Sequence, residues 1–287
     1  MNDGILVVNK PIGFTSRDIV NIVGKKLNTK KVGHTGTLDP NASGVLVLCI
    51  GKALKICELL TNHDKEYIAG VTLGIETDTL DMEGKILRNE EVDIDKEKIR
   101  NTIRSFKKEY MQEVPIYSAI KVNGKKLYEY ARKGIDVELP KKKVNIYDID
   151  IIDDINYDSG KINFNIRCKV SKGTYIRSLV RDIGNSLCVP AVMSSLVRTK
   201  LGEFKIKDAY ALEDIENNNF KLLNITDCLP SIKRIIVNDE TAFKIRNGVA
   251  IKNLFNGDMA FIIDKDNTLL AIYKNDNGIC KTYKMFV

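Results

Sequence analysis

The chain has 287 residues, 44% of them hydrophobic and 29% charged, which fits one large folded domain with a small companion and excludes collagen, coiled coil and disordered tail. Lys and Arg exceed Asp and Glu by 45 − 38 = 7, a modest positive balance whose meaning depends on where it sits. The longest apolar run, 45–50, is far below the roughly 18 to 20 residues of a membrane span, and 5–8 is too short for the core of a secretory signal, so a cytoplasmic protein with no membrane partner is expected. Residues 4–9 read as a short buried strand, and Thr15 with Ser16 can cap a helix whose apolar face is Ile19, Ile22, Val23 and Leu27. A polar, glycine-rich loop over 33–40 leads into a β-branched strand over 44–50. Helical spacing returns at 53–60, Tyr67, Ala69, Val71 and Leu73 alternate as a strand does, and Ile99, Ile103 and Phe106 predict a helix over 95–110. Extended runs at 144–152 and 161–170, a helix near 175–187 and a strand over 191–201 complete the larger part.

Strands and helices that alternate without a regular βαβ rhythm predict an α+β fold with a large mixed sheet. Past residue 230 the pattern changes to short strands around one helix at 239–247, with turn signals at Asn256-Gly257-Asp258 and Asn277-Gly278. The expected division is therefore 1–230 and a small β-rich domain over 231–287.

Six cysteines without a C-x-x-C pair predict reduced thiols, and two histidines, His34 and His63, lie at no metal-ligand spacing, so no metal is expected. The acids Glu76, Asp78, Asp81 and Glu83 miss the alternation of an EF-hand and read as a structural turn. The segment 121–143 holds eight basic and three acidic residues, a net of +5 and most of the chain's excess. Tyr128 and Tyr130 lie among those charges, with Tyr117 just before them, a mixture suited to RNA backbone and bases. The loop ending at Asp39 places an acid and a histidine between two buried elements, where rigid scaffolds present functional groups.

Ordered motifs connect these features. Lys10-Pro11 with Gly13 and Thr15-Ser16 is followed by GHTGTLDP over 33–40 and by Lys65-Glu66-Tyr67. Then come Thr77-Asp78-Thr79 with Asp81 and Gly84, Tyr117-Ser118-Ala119 with Lys121-Val122 and Gly124, and Ala131-Arg132 with Gly134. Gly173-Thr174-Tyr175-Ile176-Arg177 and Leu196 with Arg198-Thr199 close the series. Together they resemble the bacterial TruB family of tRNA pseudouridine synthases over nearly the whole chain. Val114-Pro115-Ile116 stands where the family often has two prolines, and Asn41 and Ser43 replace its commoner leucine and threonine.

The resemblance implies a pseudouridine synthase fold, with a mainly antiparallel mixed sheet flanked by helices and a PUA-like C-terminal domain. It implies isomerisation of uridine 55 in the T-loop of tRNA, with no cofactor, metal or guide RNA, by a chain expected to be a monomer. Asp39 matches the catalytic aspartate, Arg177 the arginine paired with it, and Tyr67 the tyrosine that stacks on the target base. His34, Lys10, Tyr175, Leu196, Lys121, Lys125, Lys126 and Arg132 are the expected substrate-binding residues, and the segment about 112–143 is the expected RNA-closing thumb. His34 matches a residue that occupies RNA space near an extruded nucleotide, which fits the need to flip a base before acting on it. The alternative is a non-catalytic RNA-binding or tRNA-folding protein, which would not need Asp39, Tyr67 and Arg177 together.

Overall fold

The structure, a computed structural model, describes residues 3–287; Met1 and Asn2, the start of the domain expected over 1–230, lie outside them. Strand β1 (Gly4–Lys10) leads to helix α1 (Ser16–Lys26), whose start is fixed by a capping box: Thr15 accepts from the Asp18 backbone, and Asp18 from the Thr15 backbone. Strands β2 (Val32–His34) and β3 (Ala42–Ile50) flank the glycine-rich loop. A 3-10 turn (Gly51–Ile56), α2 (Cys57–Thr61), β4 (Lys65–Leu73) and the hairpin β5 (Ile75–Thr77) with β6 (Ile86–Asn89) follow. Next come α3 (Lys96–Ser105), β7 (Glu109–Glu113), the small hairpin β8 (Lys121–Val122) with β9 (Lys125–Lys126), and α4 (Leu127–Arg132). Strands β10 (Lys141–Ile151), β11 (Asn156–Asp158) and β12 (Lys161–Val170) precede α5 (Ile176–Leu187), β13 (Ala191–Leu201), β14 (Phe204–Lys205) and α6 (Leu212–Glu216). The C-terminal part is β15 (Lys233–Val237), α7 (Asp239–Arg246), β16 (Ile251–Lys252), β17 (Met259–Asp264), β18 (Leu269–Asp276) and β19 (Ile279–Met285).

The larger sheet has ten strands with the path β1-β3-β13-β4-β12-β10-β7, and β2, β14 and β11 pair beside it. Its pairings are antiparallel except that of β13 with β3, so the sheet is mixed and mainly antiparallel. Burial follows the two-residue period of a strand: Ile162, Phe164, Ile166, Cys168 and Val170 of β12 face one core together with α3 and α5. Strand β3 is apolar from Val45 to Ile50, where both its faces are covered. Leu46, Leu48 and Ile50 pack towards α1, while Val45, Val47 and Cys49 pack in the same cluster as Phe261, Ile263, Ile272 and Phe286 of the C-terminal part. That part is a five-stranded sheet in the order β15-β17-β18-β19-β16, and the expected Asn277-Gly278 turn, with φ of 50° and 84°, joins β18 to β19.

Three elements differ most from the sequence reading. The helix expected over 95–110 ends at Ser105, because Glu109–Glu113 pairs with β10; Tyr110 instead packs edge-on against Phe106 at 5.8 Å and donates a hydrogen bond to Asp182. The expected loop begins after His34, since Val32–His34 is held to β3. Residues 53–60 divide into a 3-10 turn and α2. Of the acids expected in a turn, Asp78, Asp81 and Glu83 lie between β5 and β6, while Glu76 sits in β5 opposite Arg88.

Candidate active site

Every backbone segment of the loop 35–40 is tied to a different part of the chain. Thr35 donates to Val47 at 3.0 Å, and the Ser16 hydroxyl accepts from the Leu38 amide at 2.9 Å while donating to its carbonyl at 3.2 Å. Arg198 is 1% exposed; its guanidinium donates to the carbonyls of Val45 at 2.7 Å and Gly36 at 3.1 Å. Gly44, with φ of 102°, allows this close approach, since a Cβ there would sit 2.3 Å from the Arg198 carbonyl oxygen. The Lys10 ammonium donates to the carbonyls of Pro11 at 2.8 Å, Phe14 at 2.7 Å and Pro40 at 3.2 Å. A glycine-rich segment, conformationally free on its own, is thereby held in one shape with Asp39 at its end.

Asp39 faces a cleft of about 680 Å³. Its Oδ2 lies 3.2 Å from Arg177 Nη2, and the two side chains are 45% and 10% exposed. Arg177 stands in the first turn of α5, a turn with no acidic residue, and its charge is met instead by acids from other elements. Nη1 donates to the Thr79 carbonyl at 3.0 Å and to Asp81 Oδ2 at 3.3 Å, and Nη2 donates to the Tyr117 carbonyl at 3.1 Å. Asp81 is itself fixed by the Thr79 hydroxyl at 2.5 Å. The arginine is thus oriented by the β5–β6 turn and the segment after β7 before it meets Asp39.

The sheet supplies the floor. Tyr67 pairs with Arg198 and Ala69 with Leu196 across β4 and β13, so Tyr67 and Leu196 present an aromatic and an aliphatic side chain side by side in the cleft. Tyr175 caps α5 through its backbone: its amide donates to Gln112 Oε1 at 2.8 Å, and Gln112 Nε2 donates back to its carbonyl at 3.1 Å. Burial raises the Tyr175 phenol pKa, so it stays protonated at neutral pH. At one end Lys65, Lys142 and Lys172 gather, and burial, followed by the Arg198 charge, pushes Lys65 down to about 8.

The structure therefore brings Asp39, Tyr67, Tyr175, Arg177 and Leu196 into one cleft. Lys10 differs from its expected place as a substrate contact: it is 0% exposed and its three protons are committed to carbonyls, so it lies beneath the loop as a clamp. His34, half-buried, lies outside the cleft lining; burial, then the charges of Arg17 and Arg198, lower its pKa and keep the imidazole neutral. Lys121 and Lys125 are exposed on the β8–β9 hairpin. The Lys126 ammonium and the Arg132 guanidinium both lie 5.3 Å from the ring centre of Tyr128, which lines the cleft. Arg198 and Asp81 received no role from the sequence. An arginine at the same inward parity of β13 as Leu196 was the available signal for the first, and the place of Asp81 two residues after the Thr77-Asp78-Thr79 motif for the second.

Comparison with known proteins now bears on this geometry. Residues 24–176 match the profile of the TruB family pseudouridylate synthase N-terminal domain, and 177–242 that of the tRNA pseudouridylate synthase B C-terminal domain. The chain belongs to the TruB family of pseudouridylate synthases. Among TruB relatives named tRNA pseudouridine synthase B, that of Caldanaerobacter subterraneus subsp. tengcongensis is 43% identical over 277 residues, covering 95% of this chain and 92% of its own. That of Alkaliphilus oremlandii is 47% identical over 249 residues, with 86% and 82% covered, and that of Bacillus subtilis is 40% identical over 287, with 95% and 93% covered. The TruB fold also superposes on an H/ACA ribonucleoprotein bound to a substrate RNA containing 2′-deoxyuridine, at TM-score 0.71 and 24% identity over 99% of this chain and 85% of that one. An archaeal box H/ACA Nop10-Cbf5 complex gives TM-score 0.67 at the same identity, with 99% and 86% covered. At that identity the likeness is one of fold.

Proposed function

We propose that this enzyme isomerises uridine 55 in the T-loop of tRNA to pseudouridine, with Asp39 as the reacting carboxylate. The observation that carries the reading is the Asp39–Arg177 pair at 3.2 Å, set beside Tyr67 and Leu196 in a cleft of about 680 Å³ with room for an extruded nucleotide. Isomerisation breaks the N1–C1′ bond, turns the uracil and joins C5 to C1′, after which the C5 proton leaves and N1 gains one. Atoms and electrons balance without an oxidant or a cofactor. An ionised Asp39 starts it either by adding to C1′ or by removing a ribose proton, and Arg177 fixes the carboxylate's orientation.

In this reading Tyr67 stacks on the uracil and its hydroxyl assists loss of the C5 proton, while Leu196 and Tyr175 complete the walls around the base. The catalytic domain is 1–230, the smaller domain 231–287, and 112–143 is a thumb that closes on the T-arm with Lys121, Lys125, Lys126 and Arg132 towards phosphates. His34, outside the cleft lining, meets RNA near the extruded nucleotide. The experiment is release of tritium from a tRNA transcript labelled at uracil C5, incubated with purified protein in the presence of a chelator. Release in proportion to pseudouridine formed supports the proposal; no release from folded protein and folded RNA rejects it.

A further inference from the structure

Outside the cleft, a groove of about 510 Å³ runs along the outer face of α1. Arg17, Asn21, Lys25 and Asn28 follow one another at helical spacing of three or four residues and line it together with Gly24 and Lys30. Its wall is the chain that returns after α1: the Thr29 amide donates to the Gly24 carbonyl at 2.9 Å, and a Cβ on Gly24 would stand 2.9 Å from the Thr29 carbonyl oxygen. Arg17, Lys25 and Lys30 are exposed, and none of the three is ion-paired among the described residues. Asp18, the acid on the same helix, is turned away into the cap with Thr15. A concave surface with three unneutralised cations and two amides is built for a polyanion.

The groove also touches the active-site loop from behind. Ser16, the residue before Arg17, bonds to Leu38, the residue before Asp39, and the Arg17 charge is felt by His34. From Arg17 to Lys25 the stripe leads away from the cleft for about 12 Å at 1.5 Å per residue. We infer that this groove is a second RNA contact, which takes backbone phosphates of the substrate tRNA lying outside the stem-loop that carries the target uridine. The inference rests on the tRNA reading above. It adds a surface on the side of the loop opposite the thumb, so that an intact tRNA is gripped at two places and an isolated stem-loop at one.

The test compares full-length tRNA transcript with an isolated T-arm hairpin, both unmodified, in binding titrations of the intact protein at four salt concentrations. In Arg17→Ala/Lys25→Ala/Lys30→Ala the affinity for full-length tRNA should fall at least tenfold, with the slope of log affinity against log salt flattened by about 2 to 3 units for three lost phosphates. Hairpin affinity and single-turnover rate on the hairpin should stay within twofold of wild type. Lys25→Gln/Lys30→Gln, a milder change on two exposed side chains, should weaken full-length tRNA binding and flatten its salt slope by about 1 to 2 units while leaving the hairpin unchanged, and it reads the same question if the triple variant folds poorly. Equal losses on both RNAs, or unchanged affinity for full-length tRNA, overturn the inference; the latter would leave the stripe to an acidic protein. Wild-type protein that modifies neither RNA would reject the proposed function, and the binding contrast would still decide the groove.

Discussion

Replacing Arg177 with lysine keeps the positive charge and removes the planar fork, so it separates charge from geometry at the centre of the site. The two ends of the guanidinium serve different partners: Nη1 meets the Thr79 carbonyl and Asp81, while Nη2 meets the Tyr117 carbonyl and Asp39. A single ammonium cannot occupy both places. It will settle on the Nη1 side, where Asp81 is 19% exposed against 45% for Asp39 and a carbonyl lies close by. Asp39 then loses its partner, a charge-assisted contact of about 1.5 to 3 kcal/mol. In the free protein water softens that loss, but bound RNA covers the cleft and excludes water, so the upper part of the range applies during reaction. At 1.36 kcal/mol per tenfold, single-turnover pseudouridine formation should slow roughly a hundredfold, with RNA affinity changed less than about threefold. Rapid-quench tritium release at saturating protein measures the first, and filter binding the second. A rate near wild type, or a loss confined to affinity, would refute the assignment of Arg177 to orienting the carboxylate.

Asp39→Asn keeps the shape and removes the charge, and should abolish tritium release while holding tRNA affinity within about tenfold, 1.4 kcal/mol; retained turnover removes Asp39 from the chemistry. Tyr67→Phe should keep stacking and lose the hydroxyl, so binding survives better than turnover in single-turnover assays, and equal loss of both would contradict that division. Lys125→Ala/Lys126→Ala should flatten the salt dependence of T-arm binding by roughly 1 to 2 units while single-turnover chemistry at saturating RNA stays near wild type; an unchanged slope would place those lysines off the RNA. Burial lowers Lys10 from 10.5 to about 8 despite the opposing pull of Asp39, so between those pH values the folded chain has shed a proton that the unfolded chain keeps, and stability from this group rises with pH. Urea unfolding of wild type against Lys10→Met should show the wild type gaining on the variant from pH 8 to 10; a difference independent of pH would contradict the lowered pKa of Lys10.

Elements were legible in the sequence where local pattern and final packing agree. The alternation in 161–170 becomes β12 with its even-numbered residues buried, and Thr15 caps α1 as expected. The helix expected to reach Tyr110 stops early because Ile99, Ile103 and Phe106 carry a helical period only as far as the core requires, after which pairing with β10 gives the backbone better partners. In the site, the residues whose side chains face the cleft were legible through motifs. Those acting from beneath were not: Lys10 reads as a substrate contact until bonds to Phe14 and Pro40 place it under the loop, and Arg198 carries no role of its own until β13 turns it inward. Such roles depend on contacts between residues far apart in sequence, for example Arg198 with Gly36, which no local window contains.

The central claim is that the carboxylate of Asp39 converts one T-loop uridine within an intact tRNA. Carbodiimide labelling of pseudouridine followed by primer extension on the tRNA product tests it directly, with wild-type and Asp39→Asn proteins treated alike. The account predicts a single stop reporting position 55 with wild type and none with Asp39→Asn that binds the same RNA. A stop at another position, or an equal stop with Asp39→Asn, would contradict it.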